Sequence, residues 1–267
     1  MLWQLRKWQQ TVSIGISNYL AYKLNFLFLI IGPTLVFFFI KYNLWSAIYD
    51  MDGVETIQGY DFKTMLSYQV WVMIVGFLAQ SYNSMNLAED IRYGRISSYL
   101  IYPFSFWSYH TARFIGVQII QLFISALTLI SVISFGAISL PSLKAFISGF
   151  VLASLVGFLW FQISFLIGLL AFWLEETWVL RVMFLTMSQF LSGALIPLEL
   201  YPEFIKKALM FTPFPYLTYV PASVFMESYQ ASYGLAIAMI FLWITIISLA
   251  ARFVWQRGLN LYTAAGM

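Results

Sequence analysis

No cysteine occurs in the 267 residues, and there is a single histidine, His110. Without cysteine there is no disulfide framework, no thiolate nucleophile and no cysteine metal site, and the redox compartment cannot be read. Charge is scarce as well: Lys, Arg, Asp and Glu together make 9% of the chain, against about 25% in a typical soluble domain. That is too little polar surface to cover a water-soluble globule of this length, so the chain reads as an integral membrane protein. The net charge of +3 is too small to argue for a nucleic-acid partner. The phosphate-cradling pattern G-x-x-x-x-G-K-[ST] is missing, which excludes ATP hydrolysis by this chain alone, and so is the zinc-protease pattern H-E-x-x-H. His110 has no hydrolase context and reads as an interfacial aromatic with a polar tip. Arg6 and Lys7 lead to Gln9, Gln10 and Thr11 rather than to an apolar run with a small-residue cleavage site, so no cleavable signal is expected.

What is abundant is apolar and aromatic: 61% of residues are hydrophobic and 20% are Phe, Trp or Tyr, the latter suited to anchoring at membrane interfaces. A crossing helix needs about 20 mostly apolar residues. The gaps between charges separate six such runs, at 24–48, 64–87, 114–135, 145–170, 182–198 and 231–251. Pro33 bends the first, and Lys41 within it is expected to snorkel toward the outer interface. Residues 1–22 form an amphipathic helix lying in the interface, with Leu5, Trp8, Val12, Ile16, Tyr19 and Leu20 on one side and Gln4, Lys7, Thr11 and Asn18 opposite. The segment 199–230 includes a long uncharged run, but Pro213, Pro215 and Pro221 argue against a straight crossing. It reads as a proline-broken re-entrant hairpin between the fifth and sixth spans. The fold class expected is therefore all-α, a single membrane domain over 1–267. Gln80, Gln118, Gln121, Gln162 and Gln189 are expected to make interhelical hydrogen bonds.

Charge sets the orientation. With six spans, Arg6, Lys7, Lys23, Arg92, Arg95, Arg113, Arg181, Arg252 and Arg257 share one side; Lys41, Lys63, Lys144, Lys206 and Lys207 take the other. Four acids (Glu89, Asp90, Glu175, Glu176) fall on the first side and the remaining seven on the second. The more basic side is cytoplasmic, so both termini and the loop 88–113 face the cytosol. No carboxylate lies inside a span, which weakens an ion-coupled mechanism.

The cytosolic loop is the most decorated part of the chain. Glu89, Asp90, Arg92 and Arg95 alternate with Ile91, Ile96, Tyr99 and Leu100, around Gly94 and ahead of Pro103. The run Asp90–Ser105, D-I-R-Y-G-R-I-S-S-Y-L-I-Y-P-F-S, resembles the loop after the second span in the membrane subunits of ATP-binding-cassette exporters of the second exporter class. There an acidic-I-R-x-G pattern leads into a short helix and a proline turn, commonly with Arg where this chain has Tyr102. Phe190–Pro202, F-L-S-G-A-L-I-P-L-E-L-Y-P, followed by Pro213, Pro215 and Pro221, resembles that family's interrupted fifth span and outer hairpin. The tail Phe253–Gly266 is similar to its W-x-x-G-L-x-x-Y-x-A-x-G ending.

The resemblance implies a permease that works with a second copy or homologue and is driven by a separate cytosolic ATPase dimer, which holds the ATP and Mg; this chain itself holds no cofactor and catalyses nothing. The coupling contact falls on Glu89, Asp90, Ile91, Arg92, Tyr93, Gly94, Arg95, Ile96, Tyr99 and Pro103, as one amphipathic helix whose apolar side enters a groove on the ATPase. Glu175 and Glu176, in the other cytosolic loop, are placed to meet the same partner. Gly193, Pro197, Pro202, Pro213, Pro215 and Pro221 mark an outer gate. The substrate is apolar or amphipathic, and the location is the cell membrane, in contact with lipid. An ion-coupled carrier or channel, or a structural protein that only recruits a partner, are the alternatives.

Overall fold

The structure, a computed structural model, describes residues 2–21, 23–53, 55–79, 85–101, 104–134, 138, 140–142 and 143–262. Every regular element is a helix, with no strand among the described residues and one isolated bridge between Ile57 and Tyr60. The order is α1 (Leu2–Leu20), α2 (Lys23–Asp52), α3 (Phe62–Ala79), α4 (Met85–Arg92), α5 (Ile96–Ile101), α6 (Phe106–Ser134), α7 (Leu143–Leu169, ending in a tight turn to Phe172), α8 (Trp178–Leu191), α9 (Glu203–Leu209), α10 (Phe214–Leu217), α11 (Tyr219–Phe225) and α12 (Tyr233–Leu261).

Four of these helices are long and apolar enough to cross a membrane: α3, α6, α7 with its terminal turn, and α12. Six crossings were expected. α2 has the length, at 30 residues or about 45 Å, but many of its side chains lie outside the described residues. α8 has 14 residues, about 21 Å at helical rise, short of the roughly 30 Å hydrocarbon core. The expected fifth span ran on to Leu198, whereas the helix stops at Leu191. Other boundaries shift too. α6 begins at Phe106, eight residues before the expected third span, and α12 runs ten residues past the expected end of the sixth.

The helices pack around α7. On one half of the molecule α7 meets α3, α11 and α12 through Tyr68, Trp71, Val75, Leu152, Val156, Leu159, Val220, Phe225, Ala236 and Ile240, all buried. Trp71 and Phe225 stack with centroids 4.4 Å apart, and the ring of Phe225 lies where a Cβ on Gly149 would be. On the other half, Phe161, Phe165 and Leu169 of α7 join Leu87, Ile91, Ile96, Phe106, Phe114 and Ala251. α7 therefore belongs to both cores, which meet along it around Trp160, Phe161 and Ile163.

The two ends of the bundle are distinguishable by what they bring together. At one end the 55–61 loop meets the 198–200 turn through Tyr60 and Glu199, 3.3 Å apart, and Glu227 accepts from the Ser142 amide at 2.6 Å, which holds its carboxyl below the usual range. At the other end lie the α4–α5 turn, the 173–177 segment and the end of α12.

α1 lies against α6, where Val12, Gly15 and Ile16 make a close backbone crossing with Arg113 and Gly116, while Leu5 and Leu20 of the expected apolar side stay exposed. Gly15 is buried, and a Cβ on Gly116 would meet the Val12 carbonyl oxygen at 2.7 Å. Backbone cannot yield as a side chain can, so Gly116→Ala must push the helices apart. It is expected to destabilise the chain by about 1–3 kcal/mol and lower its melting temperature in detergent. Gly15→Ala, whose Cβ would find its nearest neighbour at 3.5 Å, should leave the melting temperature nearly unchanged; equal effects of the two would mean the crossing is looser than drawn.

Candidate functional site

The decorated loop folds as two short helices, not the single amphipathic helix expected over Asp90–Tyr102. α4 ends at Arg92, and Gly94 takes φ +71°. The Arg95 amide donates to the Asp90 carbonyl at 2.9 Å and the Gly94 amide to that of Ile91 at 3.2 Å. This is the paired closure that a left-handed residue allows at a helix end, and glycine adopts it at little cost. α5 starts one residue later.

The apolar side of this element is already occupied. Ile91 is buried and Ile96 fully so, both inside the chain's own core with Leu87 and Phe106. It therefore does not offer the hydrophobic face expected for insertion into a partner. What faces outward is Arg92, Tyr93 and Arg95, with Ile101 at 83% exposure the most open apolar side chain of α5. Both guanidinium groups lie over the Tyr93 ring, at 5.4 Å and 5.2 Å from its centroid. Glu89 is half-buried on α4. Pro103 lies outside the described residues.

The turn is fixed from beneath. Asp90 is buried, pairs with Arg95 at 3.3 Å and accepts from the Tyr99 hydroxyl at 2.9 Å. Burial and the Asp90 carboxylate together push the Tyr99 phenol well above its ordinary pKa, so it remains a donor. The Tyr262 hydroxyl donates to the Gly94 carbonyl and lies 3.1 Å from the Ser97 hydroxyl. The carboxyl-terminal end of α12 thus clasps the turn.

Glu175 and Glu176 are exposed, as expected of a second loop on this face. Their described contact is within the chain: Arg92 pairs with the Glu176 carboxylate and donates to the Glu175 carbonyl at 3.2 Å. Exposed pairs of this kind contribute little to stability. His110 does not present its polar tip outward as expected. It is buried at 1% exposure among Phe106, Tyr99, Tyr109 and Phe165, because α6 starts earlier than the charge pattern suggested.

The expected outer gate is a sequence of short elements after α8. Gly193 takes φ +81° and is packed so closely that a Cβ would meet Tyr219 and the Tyr68 hydroxyl at 2.9 Å. Pro197 and Pro202 precede the 198–200 turn and α9; Pro213 precedes α10; Pro215 and Pro221 are buried within α10 and α11. Four successive carbonyls are exposed by the break, and each has a donor. Ser192 accepts from the Tyr219 amide at 3.0 Å, Gly193 from the Tyr68 hydroxyl at 2.7 Å. Leu195 accepts from Gln69 Nε2 at 3.1 Å and Lys41 Nζ at 2.9 Å, and Lys41 also reaches Ala194 at 3.5 Å. Lys41 is therefore not a snorkelling anchor: it is 6% exposed and turned inward. Glu199, which the charge pattern left in a loop, receives hydroxyls from Tyr60 and Tyr219. Burial, and then the Glu199 carboxylate, raise the Tyr60 pKa.

A family model described as ABC-2 family transporter protein matches residues 17–266. A search of curated proteins finds no match. Lys41→Met keeps the length of the side chain and removes its donors. It is expected to destabilise by about 1–3 kcal/mol, as for a buried acceptor left short of its partner, and Tyr68→Phe by a similar amount. Thermal unfolding in detergent measures both; unchanged midpoints would mean that the break stands without these donors.

Proposed function

The chain belongs to the ABC-2 transporter family, the membrane permeases of ATP-binding-cassette transporters, and from this we propose that it is the permease subunit of an ATP-driven exporter, paired with a second copy or homologue and driven by a separate cytosolic ATPase dimer. The ATPase holds the ATP and Mg, and this subunit performs no catalysis. The observation that carries the reading is the α4–α5 turn: three large side chains, Arg92, Tyr93 and Arg95, presented outward on a support buried from below. A surface that must transmit force needs a rigid base, and Asp90, Tyr99 and Tyr262 supply one. Aromatic and Arg side chains are the types that dominate contact energies between proteins. The Arg92–Glu176 pair adds so little to stability that it is free to exchange for a partner's carboxylate.

Six crossings by α2, α3, α6, α7, α8 and α12 put both termini in the cytosol of a cell membrane, with the nine-to-five division of basic residues supporting the orientation. The break at 192–196 completes the depth that α8 alone does not cover. The donors on its carbonyls from Ser192 to Leu195 suit irregular backbone at membrane depth. With α9–α11 it forms the outer gate, and the path between two permeases carries an apolar or amphipathic substrate outward when ATP binding closes the ATPase dimer.

Tyr93→Ala with Arg95→Glu is expected to lower retention of the ATPase on affinity-purified permease about tenfold or more, while membrane insertion is unchanged. Substrate export should fall in parallel. Export that persists with no nucleotide-hydrolysing partner would overturn the reading in favour of an ion-coupled carrier or channel.

A further inference from the structure

A cavity of about 480 Å³ opens between α6, α7 and α12, on the half of the bundle that holds the α4–α5 turn. Phe106, Trp107, Phe158, Phe165 and Trp255 line it. The rings are fixed by one another: Trp255 stacks on Phe106 at 4.4 Å, and Trp107 meets Phe165 edge-on at 4.9 Å. Three polar side chains, Gln162, Ser248 and Arg252, break this apolar wall. Gln162 is 1% exposed, and its Oε1 has no hydrogen-bond partner. A buried amide oxygen left without a donor is costly in an apolar setting. Arg252 is exposed at the mouth and makes no ion pair among the described residues.

The depth of Arg252 follows from α12 itself. From Tyr233 to Ala251 the helix carries no charge, a run of about 28 Å at helical rise, close to the roughly 30 Å hydrocarbon thickness. Arg252 is the first charge beyond it and lies at headgroup level. The cavity extends from there toward Phe158 and Gln162, on the α7 segment shared with the inner core. An occupant must therefore combine an anion at Arg252 with an apolar chain that runs inward past Phe165 toward Phe158. A free phosphate ester has no chain to fill the cavity, and a zwitterionic choline lipid has no net charge to set against Arg252.

We propose that this cavity is a binding site for an anionic phospholipid, seated with its headgroup at Arg252 beside the rings of Phe106 and Trp255 and an acyl chain running inward past Phe165 toward Phe158. The site lies apart from the break after α8 and from the outward-facing side of the α4–α5 turn. It uses the membrane placement of α12 and nothing of the ATP-driven mechanism. Phe106 and Trp255 also belong to or pack on the core beneath that turn, so the bound lipid extends the support of the same end of the bundle.

The test uses the full chain without an ATPase, so its outcome is independent of the transport reading. Purified protein is incubated with equal amounts of phosphatidylglycerol and phosphatidylcholine, stripped of excess lipid, and its retained lipid counted by native mass spectrometry. The wild type should retain phosphatidylglycerol about fivefold over phosphatidylcholine, the weight of one basic residue at an anionic headgroup. Arg252→Gln should bring the ratio near parity, and Arg252→Lys should keep most of it. Ser248→Phe, which fills the cavity from α12, should lower retention of both lipids. Arg257→Gln, farther along the same helix, should leave the ratio unchanged. Equal retention by the wild type, an unchanged ratio in Arg252→Gln, or an equal loss in Arg257→Gln would overturn the proposal. So would displacement of the lipid by glycerol 3-phosphate, which would make the site one for a free phosphate ester.

Discussion

The backbone after α8 has to expose carbonyl oxygens inside a protein that is otherwise almost free of polar groups, and the fold depends on how they are met. In hydrocarbon an unsatisfied carbonyl costs several kcal/mol, comparable to a large fraction of the stability of a domain. Tyr68 and Gln69 of α3, Lys41 of α2 and the Tyr219 amide of α11 each reach one of the oxygens from Ser192 to Leu195. Three helices distant in sequence are thereby fixed relative to the break. Gly193 is required twice over, by its positive φ and by the lack of room for a Cβ. A buried ammonium is costly by itself, and it is tolerable here because it lies against two carbonyl oxygens.

The opposite end obeys a different constraint. On the proposed reading it faces water, where backbone is easily satisfied, and the difficulty is holding short helices in one place. α4 and α5 have eight and six residues, too few to be stable alone. Their order comes from burying Leu87, Ile91 and Ile96 and from the clasp of Asp90, Tyr99 and Tyr262. The side chains that would make an amphipathic helix sticky are consumed in this way, and what is left facing outward is Arg92, Tyr93 and Arg95.

Much of this was legible in the charges. Gaps between them located the long apolar helices, and the pattern D-I-R-Y-G-R located the turn at Gly94. The grouping of Arg92 with Glu176 was visible as two loops on one side. Three things were not legible, each for a physical reason. A lysine in an apolar run has two ways to find polar company, outward by snorkelling or inward to bare carbonyls, and only the break after α8 decides for Lys41. Isoleucines on a short helix have a buried side in either direction, and the packing of Phe106 and Phe165 decides for Ile91 and Ile96. The start of α6 was misplaced because Arg113 reads as an end to a span, although a helix passes through it without interruption from Phe106. The same error put His110 at an interface. Pro103 and Gln80 lie outside the described residues.

The two ends are joined by α7. Its first half packs on α3 and α11, which carry Tyr68, Gln69 and Tyr219, and its second half packs on α4 and α12, which carry the turn and its clasp. The join is close: a Cβ at Gly157 would meet the Leu78 carbonyl oxygen at 2.9 Å, and Gln118 of α6 donates to that oxygen at 2.6 Å. Close packing of this kind resists bending and passes displacement on as movement of whole helices. A push on Arg92, Tyr93 and Arg95 reaches the carbonyls held at the break through α7 and its packing on α3 and α11. On the proposed reading, this is how an energy source outside the chain acts on a gate at the far side without any charged group inside the bilayer changing its state.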